Sequence, residues 1–242
     1  MPMEKKIIIV CEGKNDVSYL NALQRFVEND IPLPPGQFDP FLRFVPFPEL
    51  EGTCTGRYDK IVAAYNSATE IFAPTPVEIW VDADIYIRNE AFNSDPGKFN
   101  GTEYMNRLSD IPVFFFSYHN FEDFLALHYD GETFQEWKRC VLMAPNESSS
   151  LPHHDSPLTR SEYAPLFQKV FPRYSKKKKV PFDLSVQRLS NLRRNLKDPD
   201  VQTMSQLLQP GIVFGEHLLQ LFDEAYPGLI PQEKRERQWI EK

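Results

Sequence analysis

The run Ile7-Ile8-Ile9-Val10-Cys11, followed at once by Glu12-Gly13-Lys14-Asn15-Asp16, constrains this chain more than any other stretch. Consecutive β-branched residues ending abruptly in polar ones have the length and chemistry of a buried strand. From Val17 onward the pattern changes: Val17, Leu20, Leu23, Phe26 and Val27 recur at helical spacing to about residue 29. The stretch therefore predicts strand, tight turn and helix, with Asp16 as the helix N-cap and Gly13 meeting the backbone demands of the turn. In open α/β sheets ligands bind beyond the carboxyl ends of the strands, so the turn aims the Glu12 carboxylate at the expected active edge. Lys14 is not the lysine of a phosphate-binding loop, because no GxxxxGK spacing surrounds it.

The same alternation continues downstream. A strand is expected over 41–47 and a helix over 58–72, stopped by Pro74 and Pro76 before a strand at 77–81 that ends in Asp82-Ala83-Asp84. Strand, helix, strand, helix, strand predicts an α/β fold with a mostly parallel sheet and flanking helices. Residues 85–100 read as a loop on the rim of the site, 102–110 as a helix and 111–116 as another strand. Asn120 then caps a helix whose Phe121, Phe124, Leu125 and Leu127 face inward, with Glu122 in its first turn at the carboxyl edge. Beyond about Asp130 the alternation stops, and helices are expected at 133–143, 161–171, 184–196 and 215–226. The expected division is an α/β domain at 1–130 and a C-terminal helical region or cap at 131–242.

Asp82 and Asp84 sit on alternate positions of a strand end and so point the same way. Glu12 adds a third carboxylate from another strand, and hard oxygens of this kind suit Mg2+ or Mn2+. Asp-x-Asp alone is common; its combination with a buried strand ending in EGxxD is more specific. A composition of 41% hydrophobic and 25% charged residues is that of a globular protein. The net charge of -7 excludes coating of nucleic acid by bulk electrostatics, but leaves an enzyme with a local basic patch. Lys176, Lys177, Lys178 and Lys179, with Arg173 before them and Arg193, Arg194 and Lys197 after, form the basic region, suited to phosphate contacts. Tyr174 beside it is placed to stack on a base.

Cys11, Cys54 and Cys140 lack CxxC spacing and read as reduced thiols. No apolar run approaches the roughly 20 residues of a membrane span, so a soluble cytoplasmic protein is expected. His119 and His128 do not have the spacing of a helical zinc site, and His128 is expected to be hydrogen-bonded within the structure. His153-His154-Asp155 reads as a solvated loop.

The EGKND turn, with Glu12, Gly13 and Asp16, and the VDAD strand end, with Asp82 and Asp84, resemble the two signature motifs of the Toprim fold, shared by topoisomerases, bacterial primases and OLD-type nucleases. IIIVCEGKNDVSYLNAL, with HNFEDFLALH later, resembles more narrowly the RloB-like branch found in bacterial anti-phage and abortive-infection loci. The likeness covers roughly residues 6–128. It implies a metal-dependent nuclease acting on DNA or RNA, tRNA included, with Glu12 as general acid/base or metal ligand and Asp82 and Asp84 as the metal pair. It also matches Glu122 and His128 to a glutamate and a histidine that follow the next strand in such sequences, and implies an AAA or ABC-type ATPase as partner. Departures are HNFED in place of a shorter Asn-Pro-type turn, and Ile85 after Asp84. Two alternatives stand beside this reading: a nucleotide-sugar transferase using the Asp-x-Asp pair, which gives EGxxD no role, and a non-catalytic Toprim-like module that binds an ATPase. A DxDxT phosphatase is disfavoured because Tyr86 stands where the threonine falls.

Overall fold

β1 (Lys5–Cys11) is the interior strand that its composition calls for. It is buried from Ile7 to Cys11 and pairs in parallel with β2 (Leu42–Phe47) on one side and β3 (Val77–Val81) on the other. The computed structural model describes residues 5–35, 40–47, 58–81, 114–116, 121–138, 182–206 and 212–231. Their order is β1, α1 (Lys14–Asn29), β2, α2 (Tyr58–Phe72), β3, β4 (Phe114–Phe116), α3 (Phe121–Ala126), α4 (Gly131–Trp137), α5 (Val186–Asn195), α6 (Pro199–Gln206), β5 (Ile212–Val213) and α7 (Phe214–Ala225). The sheet order is β2-β1-β3-β4-β5 and every pairing is parallel. The protein is thus α/β, with a parallel sheet, flanking helices and further helices in its C-terminal half, as the sequence predicts. The expected helices at 102–110 and 161–171 lie outside the described residues.

Strand alternation assigns the two faces of the sheet. On one, Trp80 stacks on Phe214 of α7 with ring centroids 4.0 Å apart and meets Tyr19 of α1 and Phe124 of α3 edge-on. Phe44 of β2 faces Phe222 of α7 on that same side. On the other, Phe47 of β2 packs edge-on against Phe72 of α2, and the Lys6 ammonium lies 5.5 Å from the same ring. Covering helices on both faces are what a parallel sheet requires. Each large apolar side chain buried in this way contributes about 1.5 to 3 kcal/mol relative to exposure.

The C-terminal half departs from expectation in two respects, one of them α6 at Pro199–Gln206, a helix not among those expected from the sequence. Alternation does not end at Asp130, because β5 joins the sheet beside β4 and leads directly into α7. A two-residue strand is too short to show a period of two, which is why it reads as part of a helical region. Residues on both sides of position 130 contribute to one buried cluster. α5 and α7 approach closely at Gly215, where a Cβ would stand 3.2 Å from Leu196 Cδ1 and 3.3 Å from Leu192 Cδ1.

Two polar clamps tie this half down. Asn191 and Asn195, one turn apart on α5, donate to the carbonyls of Leu127, His128 and Tyr129 just past α3, at 3.0 to 3.2 Å. These carbonyls lie in the turn after α3, where no ladder partner is available to them. Past α7, the Tyr226 hydroxyl accepts the N–H groups of Phe41 and Leu42 at 3.0 and 3.4 Å, at the start of β2. Tyr226→Phe strips a buried acceptor from those donors and should lower stability by about 1 to 3 kcal/mol in urea denaturation. A loss below about 0.5 kcal/mol would show that water replaces the hydroxyl.

Candidate functional site

β1 runs directly into the turn and α1, and β3 ends beside it. The register places Cys11 opposite Trp80, so the segments that carry Glu12 and Asp82 are attached to adjacent strand ends. Between β1 and β3 the connection reverses direction, since β2 lies on one side of β1 and β3 on the other. Such a switch point opens the crevice in which doubly wound sheets bind ligands.

Locally the turn differs from the prediction. α1 begins at Lys14, and its N-cap is Gly13 rather than Asp16. Asp16 is the third helical residue; it is 5% exposed, and its Oδ2 accepts the Gly13 N–H at 2.8 Å. This is the reach-back half of a capping box, possible because side chains in the first turn lean toward the helix N-terminus. Gly13 has φ -143° and ψ 174°, ordinary extended backbone, and a Cβ there would meet only Asp16 Oδ2 at 3.8 Å. The turn therefore does not require glycine for its backbone. Glu12 beside it is partly buried.

The other expected site residues are distributed as follows. Asp82 and Asp84 lie outside the described residues, as do His119, Asn120, Tyr174 and the four lysines 176–179. Glu122 is the second residue of α3, and its side chain is likewise outside them. Among the described residues no three His, Cys, Asp or Glu side chains gather to hold a metal. The turn that follows β1 carries residue types with hard oxygen donors, Glu12 and Asn15. The soft donor Cys11 is buried with its thiol on the Ile9 carbonyl.

Two buried side-chain atoms, Asn15 Oδ1 and Trp80 Nε1, have no hydrogen-bond partner among the described residues. Leaving a buried polar atom unpaired costs about 1 to 3 kcal/mol. Both belong to the segments that lead to the carboxylates: Asn15 follows Glu12 by three residues, and Trp80 precedes Asp82 by two. Sequence reasoning singled out neither.

His128 is fully buried at the end of α3, as a structural role requires. Its Nε2 lies 2.8 Å from the Tyr19 hydroxyl and its Nδ1 3.0 Å from the Phe124 carbonyl. The carbonyl can only accept, so Nδ1 carries the proton and Nε2 accepts from Tyr19. Burial, opposed by the Phe124 carbonyl and assisted by the Arg188 charge, lowers the imidazole to about 3. Arg188 lies over the rings of Tyr129 and Phe182 and closes this pocket from α5.

Charged residues elsewhere serve the fold. Arg193, read from the sequence as part of the basic region, is 8% exposed and bonds Asp223 and the Ile230 carbonyl, so it is not available to a phosphate. Arg194 is exposed and bonds Asn191 and Asn195. Lys138, just past α4, bonds Asp198 and Asp200; burial pulls its pKa down, but the two carboxylates outweigh this and raise it. Glu78 in β3 pairs with His217 of α7 at 2.9 Å, and that imidazole stacks on Phe115 at 4.0 Å. A charge inside the apolar run VEIWV was the signal for this pair.

Among the described residues no helix is long and apolar enough to cross a membrane. Comparisons of the chain with protein-family models, with curated proteins and with solved structures find no match.

The His128 geometry has a pH consequence. The folded imidazole stays neutral to about pH 3, whereas the unfolded one takes a proton near 6.5. Its contribution is fully present above about pH 6.5 and is lost as pH falls toward 3, by up to about 1.4 kcal/mol per pH unit. Urea denaturation at pH 7.5 and pH 5 should show a smaller acid-induced loss for His128→Gln than for the wild type. Equal losses would mean that His128 accepts a proton in the folded state.

Proposed function

We propose that this protein is a Toprim-type, Mg2+- or Mn2+-dependent nuclease that cleaves DNA or RNA, tRNA included, as an anti-phage effector. The observation that carries the reading is the side-by-side arrangement of the carboxyl ends of β1 and β3 at the switch point of the sheet. One end continues into Glu12 and the other into Asp82-Ala83-Asp84. The resemblance of these two segments to the Toprim motifs supports the assignment of roles.

In this reading Asp82 and Asp84 hold the divalent cation, and Glu12 holds it or moves the proton of the attacking group. When bound, the cation supplies charge compensation to the oxygens of the phosphodiester. Glu122, at the start of α3, takes the position of a further acidic residue of the site. Lys176, Lys177, Lys178 and Lys179 bind phosphates and position the strand without reading its sequence. An AAA or ABC-type ATPase is the partner that the RloB-like resemblance implies. A nucleotide-sugar transferase would leave Glu12 at this edge without a task, which ranks it lower.

The test is cleavage of DNA, RNA and tRNA with Mg2+ or Mn2+ by the wild type and by Glu12→Gln, Asp82→Ala and Asp84→Ala. Each variant should lose at least about 100-fold in rate, with its thermal melting unchanged in metal-free buffer. Cleavage retained by all three would reject the assignment. A wild type that cleaves nothing but co-purifies with an ATPase would favour the non-catalytic module.

A further inference from the structure

We infer that Gln24, Tyr226 and Pro46 close the outer edge of β2 to strand addition, and so keep one copy of this chain from pairing with another through its sheet. Among the described residues β2 ends the sheet, with β1 on one side and no strand on the other. An edge of this kind presents a row of N–H and C=O groups that a second extended chain can take up. The other border, β5, is only two residues long and offers too little for a ladder.

The register decides which groups of β2 face outward. The Lys5 N–H donates to the Phe41 carbonyl at 2.8 Å, and Lys5 stands opposite Leu42. In a parallel pair alternate residues of a strand turn their backbone groups to the same neighbour, so Arg43, Val45 and Phe47 face β1. Leu42, Phe44 and Pro46 face away from it.

None of these three has an N–H to offer a newcomer. The Leu42 N–H lies on the Tyr226 hydroxyl at 3.4 Å, beside that of Phe41 at 3.0 Å. The Phe44 N–H donates to Gln24 Oε1 at 2.7 Å. Pro46 has no N–H, and proline within a strand suits an edge position. An arriving strand would donate to carbonyls and receive nothing in return, so the alternating ladder that joins two strands does not form.

Both acceptors are held in place. Gln24 Nε2 donates to Glu28 one turn along α1 at 2.8 Å, which leaves Oε1 for Phe44. Tyr226 follows Phe222 by one helical turn, and the Phe222 ring lies 6.2 Å from Phe26 of α1, 6.4 Å from Phe44 and 5.9 Å from Tyr226. The same aromatic group thus packs α1 and α7 at the border strand, and each helix brings one polar side chain to the outward N–H groups.

The test follows backbone hydrogen exchange and sedimentation of the full chain as protein concentration is raised. In the wild type the Phe44 amide should be protected like that of Val45, which bonds β1, at every concentration. Gln24→Met keeps the length of the side chain without its acceptor, and should speed exchange at Phe44 at least about 10-fold. Gln24→Met combined with Pro46→Val, which adds an outward donor, should sediment as a dimer whose formation slows that exchange again. Wild-type exchange at Phe44 as fast as in an unstructured chain overturns the inference even where the variants fail to fold. Wild-type protection that rises with protein concentration also overturns it, because the edge would then already pair with a second copy. Unchanged exchange in folded Gln24→Met, or a folded double variant that stays monomeric throughout, does the same.

Discussion

The burial of β1 on both faces is the constraint on which the rest of the structure depends. A strand with Ile7, Ile8, Ile9 and Val10 all removed from water has no solvent side, so it must lie between two neighbours and beneath helices on both faces. Parallel neighbours require crossover connections, and α1 and α2 supply them. The order β2-β1-β3 then makes the carboxyl end of β1 a point of divergence. The polar residues that end the apolar run are delivered to the carboxyl edge of the sheet, where folds of this class bind ligands. Core and candidate site thus trace to the same ten residues.

The aromatic cluster on the α1 side shows how the later half of the chain is held to this frame. Trp80 is sandwiched by groups from α1, α3 and α7, which are far apart in sequence. Apolar packing of that kind has little orientation preference, and directional bonds add it. Asn191 and Asn195 fix α5 to the end of α3, Tyr226 fixes the end of α7 to β2, and the Tyr19–His128 bond fixes α1 to α3. Each joins groups that water cannot reach. Their removal therefore exposes the desolvation cost in full, where a surface pair would lose almost nothing.

How much of this was legible in the sequence depended on length and on locality. β1, α1, α2 and β3 announce themselves through β-branched runs, proline stops and apolar residues at helical spacing, and their outlines agree with the structure. The capping of α1 was misread because Asp16 resembles an N-cap in composition. Only the geometry shows that the helix has already begun at Lys14 and that the carboxylate reaches back. β5 escaped because two residues carry no period, and Arg193 because its partners, Asp223 and the Ile230 carbonyl, are 30 and 37 residues away. The candidate carboxylates were legible as motifs, while the side-by-side strand ends that relate Glu12 to Asp82 are a property of register.

The unpaired atoms at Asn15 and Trp80 belong to a different category from the clamps. A fold optimised for stability alone would leave neither, since apolar groups of similar shape remove the penalty. The described interior pairs its polar side chains elsewhere even at some length, as Lys138 and Asn195 show. Two exceptions on the two segments that meet at the switch point are therefore informative about that edge. Local rules are broken where a site needs groups held ready for something other than the protein. The carboxyl edge of β1 and β3 is thus marked by motif, by topology and by unmet hydrogen-bonding capacity, and the third of these owes nothing to family likeness.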